Sequence, residues 1–163
     1  MFKLNKNYWK ITFVIYILMV INFVVVKFNG NIYHTISTIQ MNIMRRTEGG
    51  SNYNLVPFQT IETYLSDLSI GVAFVNIVGN IIPFIPMGFL IPMVFRSQRK
   101  IIKTMFTCLL LIVSIECIQF FAYLGSFDID DIILNTISCF LGFLLFKVYK
   151  GFYKKNAPAW KVS

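Results

Sequence analysis

Four apolar runs, at residues 11–26, 70–95, 104–124 and 132–149, set the terms on which this chain can fold. Each comes close to the ~20 residues that a helix needs to cross the hydrocarbon core of a bilayer. The rest of the 163 residues is too little sequence to wrap four such segments in a soluble shell. In lipid every backbone N–H and C=O must be paired within the segment, so helices are the spanning form expected. Hydrophobic residues make up 56% of the chain and charged ones only 13%, against roughly 25% charged in soluble domains. The expected architecture is an all-α, polytopic membrane helix bundle with about four transmembrane helices. It forms a single domain over residues 1–163, with an external loop at 27–69 that carries a short amphipathic helix. Pro83, Pro86 and Pro92 are expected to break or kink the second run.

The net charge of +8 is a membrane signal, because the basic residues flank the apolar runs and no basic helix is interleaved with base-stacking aromatics. No nucleic-acid partner is expected. Lys3, Lys6 and Lys10 precede the first run, Arg96, Arg99, Lys100 and Lys103 follow the second, and Lys147, Lys150, Lys154, Lys155 and Lys161 close the chain. The opposite connections hold only Lys27, Arg45 and Arg46. By the positive-inside rule both termini are cytoplasmic, in a plasma membrane, with loop 27–69 and the acidic turn at 125–131 outside. The basic start before the first run is reminiscent of a signal peptide, but no small-residue cleavage site follows, and the run is expected to stay as a helix.

Within these apolar runs stand polar groups that a bilayer penalises. Glu116 lies twelve residues beyond Thr104, about 18 Å into a core roughly 30 Å thick. Asn76 and Asn80 fall ~9 and ~15 Å below the outer edge on the second run, and Asn135 ~5 Å below it on the fourth. Asn76 and Asn80 are i,i+4, Glu116 and Gln119 are i,i+3, and Asp131 and Asn135 are i,i+4 with Ser138 beyond, so each set lies on one helix face. Three polar stripes in one leaflet should converge, since each alone would leave polar groups in hydrocarbon. The simplest role for a membrane Asn or Gln is an interhelical hydrogen bond. A carboxylate costs at least ~2.5 kcal/mol to insert, which makes Glu116 the stronger functional candidate, with Asp131 next. Asp128 and Asp130 read as a solvated turn and a helix N-cap. Gly71, Gly79, Gly88 and Gly142 suit close helix packing.

In the external loop Phe58, Ile61, Leu65 and Leu68 recur at helical spacing behind Pro57, which predicts a short amphipathic helix able to lid the pocket. Earlier loop residues, including Gly49-Gly50-Ser51-Asn52, read as a flexible turn with little structure. Cys108, Cys117 and Cys139 all sit in apolar runs without metal-ligand spacing, and His34 stands alone. Neither a metal nor a cofactor is expected. A Gly-rich phosphate loop, a nucleophile elbow and a His-Glu metal helix are all missing from the sequence.

Asn76, Asn80, Phe84, Pro86 and Gly88 resemble the N-x3-N-x3-F-x-P-x-G pattern of the VanZ-like membrane proteins. Glu116 and Gln119, then Phe127-Asp128-Ile129-Asp130-Asp131, Asn135 and Gly142, are similar to that family's second signature, and Asn54-Leu55-Val56-Pro57-Phe58 with Ile61 to its external segment. The resemblance spans 54–142. It implies a role in resistance to teicoplanin-type glycopeptides or in envelope homeostasis. Where many members carry an Arg near the acidic turn this chain has Gly125-Ser126, and Ser138 stands where many have Gly. Arg45 or Arg46 is the expected substitute counter-ion.

These residues leave two functions open. The first is a non-catalytic factor in which Asn76, Asn80, Glu116, Gln119, Asp131 and Asn135 form an outer-leaflet pocket for a cell-surface ligand, a lipid-linked wall precursor or the glycopeptide itself. The second is an intramembrane enzyme on a lipid-linked envelope substrate, with Glu116 as general acid or base and Asp131 as its partner. A proton-coupled transporter has less to recommend it, since four spans show no inverted repeat. Membrane lipids are partners in every case; the oligomeric state is left open.

Overall fold

The computed structural model describes residues 6–25, 32–66 and 70–155 of the chain. Helix α1 (Lys6–Met19) continues into a π-helical turn at Val20–Val25; α2 (Ile32–Thr47), strand β1 (Tyr53–Asn54) and α3 (Gln59–Ser66) follow. Then come α4 (Ile70–Val94), a 3-10 turn at Arg96–Gln98, α5 (Ile101–Phe121), strand β2 (Phe127–Asp128) and α6 (Ile129–Lys155). The architecture is mostly helical, as expected. Among the described residues three helical segments, Ile77–Val94, Ile101–Phe121 and Ile129–Tyr153, are long and apolar enough to cross a membrane, and Asn7–Asn22 is a shorter apolar stretch.

The core lies where α4, α5 and α6 meet: Phe84, Met87 and Ile91 cluster with Cys108 and Ile112 of α5 and Ile132 and Cys139 of α6, and Phe143 and Phe146 of α6 are buried as well. α4 and α6 approach backbone to backbone. A methyl group added at Gly88 would overlap the Cys139 backbone, and one at Gly142 would overlap the Ile85 carbonyl. Such contact lets dispersion and interhelical bonds act at short range, which is how helices associate in lipid. Gly79 faces open space and makes no such approach; Gly71 belongs to α4, but its surroundings are outside what is described.

The break expected at the prolines is not found: α4 is continuous through Pro83, Pro86 and Pro92. Side chains from neighbouring helices bond its carbonyls: Tyr16 Oη donates to Pro83 O at 2.8 Å and Cys139 Sγ to Phe84 O at 3.4 Å. The carbonyls that the three prolines leave without an N–H are those four residues earlier, of Gly79, Ile82 and Gly88; the Tyr16 and Cys139 bonds instead fasten α1 and α6 to α4. α1 packs on α4 through Tyr16 and through rings, with Trp9 5.8 Å from Phe89 and Phe13 5.5 Å from Phe95. Outside this core the helices are sheathed in exposed apolar side chains such as Phe106, Phe121, Leu145 and Val148. An apolar surface this extensive belongs in lipid.

α2 was not anticipated. The stretch expected to carry little structure forms a sixteen-residue helix, none of it buried.

Candidate functional site

Each polar stripe follows from helical spacing, and their burial follows from the packing around them. On α5, Glu116 and Gln119 are each only 3% exposed. On α6, Asn135 is 2% exposed and Asp131 half-buried. From α4, Asn80 Nδ2 donates to Asp131 Oδ1, so two expected site residues from different helices are joined directly. Asn76 belongs to α4, but its side chain lies outside the described residues. Ser138 turns its hydroxyl to Leu134 O of its own helix, at 2.7 Å, and so takes no part in bridging. Asn135 Oδ1 and Thr136 Oγ1 are buried without a hydrogen-bond partner among the described residues.

Above these groups sits a clasp. Asp130 is fully buried, and its carboxylate accepts the N–H groups of Phe58 (2.5 Å), Thr60 (2.8 Å) and Ile61 (3.2 Å). It therefore caps α3, an element seventy residues away, where free N–H groups and the helix dipole favour an anion. Asp128 Oδ1 accepts the Asp130 N–H at 2.9 Å, as the N-cap of its own helix, while Oδ2 accepts the Thr60 hydroxyl at 2.6 Å. Asn54 Nδ2 donates to Thr60 Oγ1 at 2.8 Å, and Phe127 N–H donates to Asn52 O at 3.0 Å beside the parallel β1–β2 pairing. The solvated turn expected here is not found: Asp128 and Asp130 are buried because they tie the segment around Asn54 and Thr60 to α6. Phe58 has φ +69°, a conformation that costs a bulky residue about 1–3 kcal/mol and persists where surroundings over-determine it. Its N–H and C=O are both held, the C=O by Glu62 N–H at 2.8 Å.

The carboxyl end of α5 carries a second fastening. The Leu124 and Gly125 N–H groups both bond Gln119 O, with Tyr123 at φ +59°. Arg46 Nη2 donates to Phe120 O at 2.6 Å, and its guanidinium lies 3.9 Å from the Phe120 ring centroid and 4.4 Å from that of Tyr123. A cation at a helix carboxyl end, stacked on rings, is favourably placed twice over. The described contacts of Arg46 are therefore with α5's terminus, not with a carboxylate. Arg45 is exposed, and its carbonyl accepts the Gly50 N–H. Asn42 Nδ2 donates to Tyr123 O at 2.8 Å.

Sequence reasoning did not single out Asn52, Thr60 or Thr136. Asn52 is 4% exposed, and neither amide atom has a partner among the described residues. The role of Asn54 had a readable signal: it precedes Pro57 and closes an Asx turn by accepting the Val56 N–H at 3.0 Å. Beside α3 an open cleft of about 410 Å³ is lined by Phe58, Ile61, Glu62 and Ser66. Among the described residues no group of three or more His, Cys, Asp or Glu side chains could hold a metal ion.

A family model described as VanZ/LLP1 matches residues 13–150. The chain is similar to "Protein VanZ" of Enterococcus faecium, at 38% identity over 73 residues, which is 45% of this chain and 45% of that protein. The matched part thus spans less than half of the relative. No solved structure matches the chain.

Proposed function

This chain belongs to the VanZ/LLP1 family, and on that premise we propose that it is a multi-pass plasma-membrane protein contributing to glycopeptide resistance or envelope homeostasis. It engages a cell-surface ligand, a lipid-linked wall precursor or the glycopeptide, through the polar groups in the outer half of its bundle. Four crossings are part of this reading: α1 and its π-helical turn together run 6–25, or about 30 Å at helical rise. The basic residues concentrated at the termini and at the α4–α5 connection support cytoplasmic ends.

The observation that carries the proposal is the Asn80–Asp131 hydrogen bond between α4 and α6, with Asn135 buried one turn along α6 and Glu116 and Gln119 buried on α5. Polar groups kept at such cost in hydrocarbon usually serve a ligand or a proton. Asn135 and Asn52 add hydrogen-bonding capacity that the described partners do not use. A second reading rests on the two carboxylates, Glu116 and Asp131: an intramembrane enzyme in which Glu116 exchanges a proton with a lipid-linked substrate.

Glycopeptide susceptibility of cells expressing Glu116→Gln, at wild-type protein abundance, tests both. The amide keeps shape and hydrogen bonding but not charge or proton transfer. Loss of resistance supports a charged or proton-active site, and full resistance rejects both the acid–base enzyme and the charged pocket. Turnover of extracted envelope lipids by purified protein then separates enzyme from binder.

A further inference from the structure

We infer that α2 is an interfacial helix that lays an isoleucine face into the acyl-chain boundary of the outer leaflet. The inference rests on the reading that α4, α5 and α6 cross the bilayer with the α5–α6 turn outside.

A sixteen-residue helix with no buried residue is marginal by itself in water, so what covers it matters. At 100° per residue its side chains sort into distinct stripes. Thr35, Thr38, Asn42 and Arg46 form one stripe, all half-buried, and it is the one that docks: Asn42 on Tyr123 O and Arg46 on Phe120. Ile32, Ile36, Ile39 and Ile43 form the adjoining stripe, spread over roughly 60° of arc. Three of these isoleucines are exposed, at 61%, 45% and 41% for Ile32, Ile36 and Ile43. Ser37, Met41 and Arg45 lie on the far side, all exposed, with the exposed Tyr33 and Met44 on the flank between.

The two ends of α2 fix its level. Its last turns are fastened to Phe120 and Tyr123, at the outer end of the 21-residue helix α5. Its first residue is seven peptide steps from Val25, the end of the first apolar segment, a reach of at most about 25 Å. A rod of about 24 Å tethered in this way runs along the rim of the bundle. Its isoleucine stripe then continues the apolar belt that Ile118 and Phe121 expose on α5, at 50% and 72%. Burying such a stripe at the headgroup boundary is how an amphipathic helix binds a lipid surface, and Arg45 with Arg46 complements phosphate headgroups.

Single-cysteine nitroxide variants of the full chain, reconstituted in vesicles of phosphatidylcholine and phosphatidylglycerol, test this. Cys117 is replaced by Ala, while the fully buried Cys108 and Cys139 remain. Labels at I32C, I36C and I43C should show an oxygen-to-nickel-chelate accessibility ratio several-fold above labels at S37C and M41C. Nickel-chelate access equal at all five positions would overturn the inference in favour of a water-facing helix. Low access to both reagents at the isoleucine positions would overturn it in favour of a second protein copy over the stripe. Labels at F106C and L145C report on the spanning helices: if they too are chelate-accessible, the bilayer reading fails and the inference with it, whereas failure at α2 alone leaves the crossing intact.

Discussion

Asp130, fully buried, accepts the backbone N–H of Phe58 at 2.5 Å, 72 residues back along the chain. One carboxylate thereby couples the start of α3 to the start of α6, and two of the three family segments recognisable in the sequence meet physically at this bond.

Replacing Asp130 by Asn puts an NH₂ group among three N–H donors that need an acceptor. We expect a loss of about 2 kcal/mol and faster hydrogen exchange at Phe58, Thr60 and Ile61. The amide of Cys139, well inside α6, should keep its protection. Unchanged exchange at the three α3 amides would show that the clasp does not hold that helix.

The glycines separate by what surrounds them. Gly88→Ala and Gly142→Ala drive a methyl into facing backbone, an overpacking that typically costs 1–3 kcal/mol or more, and should lower the thermal midpoint and abundance in membranes. Gly79→Ala meets open space and should match or exceed wild type, by up to ~1 kcal/mol from helix propensity. Equal stability of all three variants would refute the close α4–α6 approach.

Asp131→Asn retains an acceptor for Asn80 but removes the charge. Near-wild-type abundance is expected, since interhelical bonds in membranes average only ~0.6 kcal/mol, together with a several-fold fall in glycopeptide resistance. Asp131→Leu removes bond and charge and should reduce abundance as well. Wild-type resistance in Asp131→Asn would exclude this carboxylate's charge from the mechanism.

Sidedness can be read at exposed positions. Asn52 is buried and would label poorly; Ser51, Ser126 and Ser97 are exposed. With Cys117 replaced, impermeant maleimide on intact cells should modify S51C and S126C but not S97C. Labelling of S97C from outside would reverse the proposed orientation.

The long apolar helices were legible because apolar length is a local property. So were the polar stripes, since i,i+3 and i,i+4 spacing places Glu116 with Gln119 and Asp131 with Asn135 whatever surrounds them. What escaped depends on partners far along the chain. Asp130 looked like a solvated turn residue because its three donors lie around position 60. Helix α2 looked like loop because its weak isoleucine stripe needs the Asn42 and Arg46 fastenings to α5. α4 looked interrupted because each proline removes a backbone donor, a local property, whereas the packing of α1 and α6 against it is not local.

The glycine contacts also limit how this protein can move. Where the Gly88 face meets the Cys139 backbone and the Gly142 face meets that of Ile85, there is no layer of flexible side chains to shear, and the Asn80–Asp131 bond pins the same two helices further out. α4 and α6 therefore travel as one rigid blade. On the proposed reading, an opening for a ligand between the helices comes from α5, with α2 carried along at the end fastened to it.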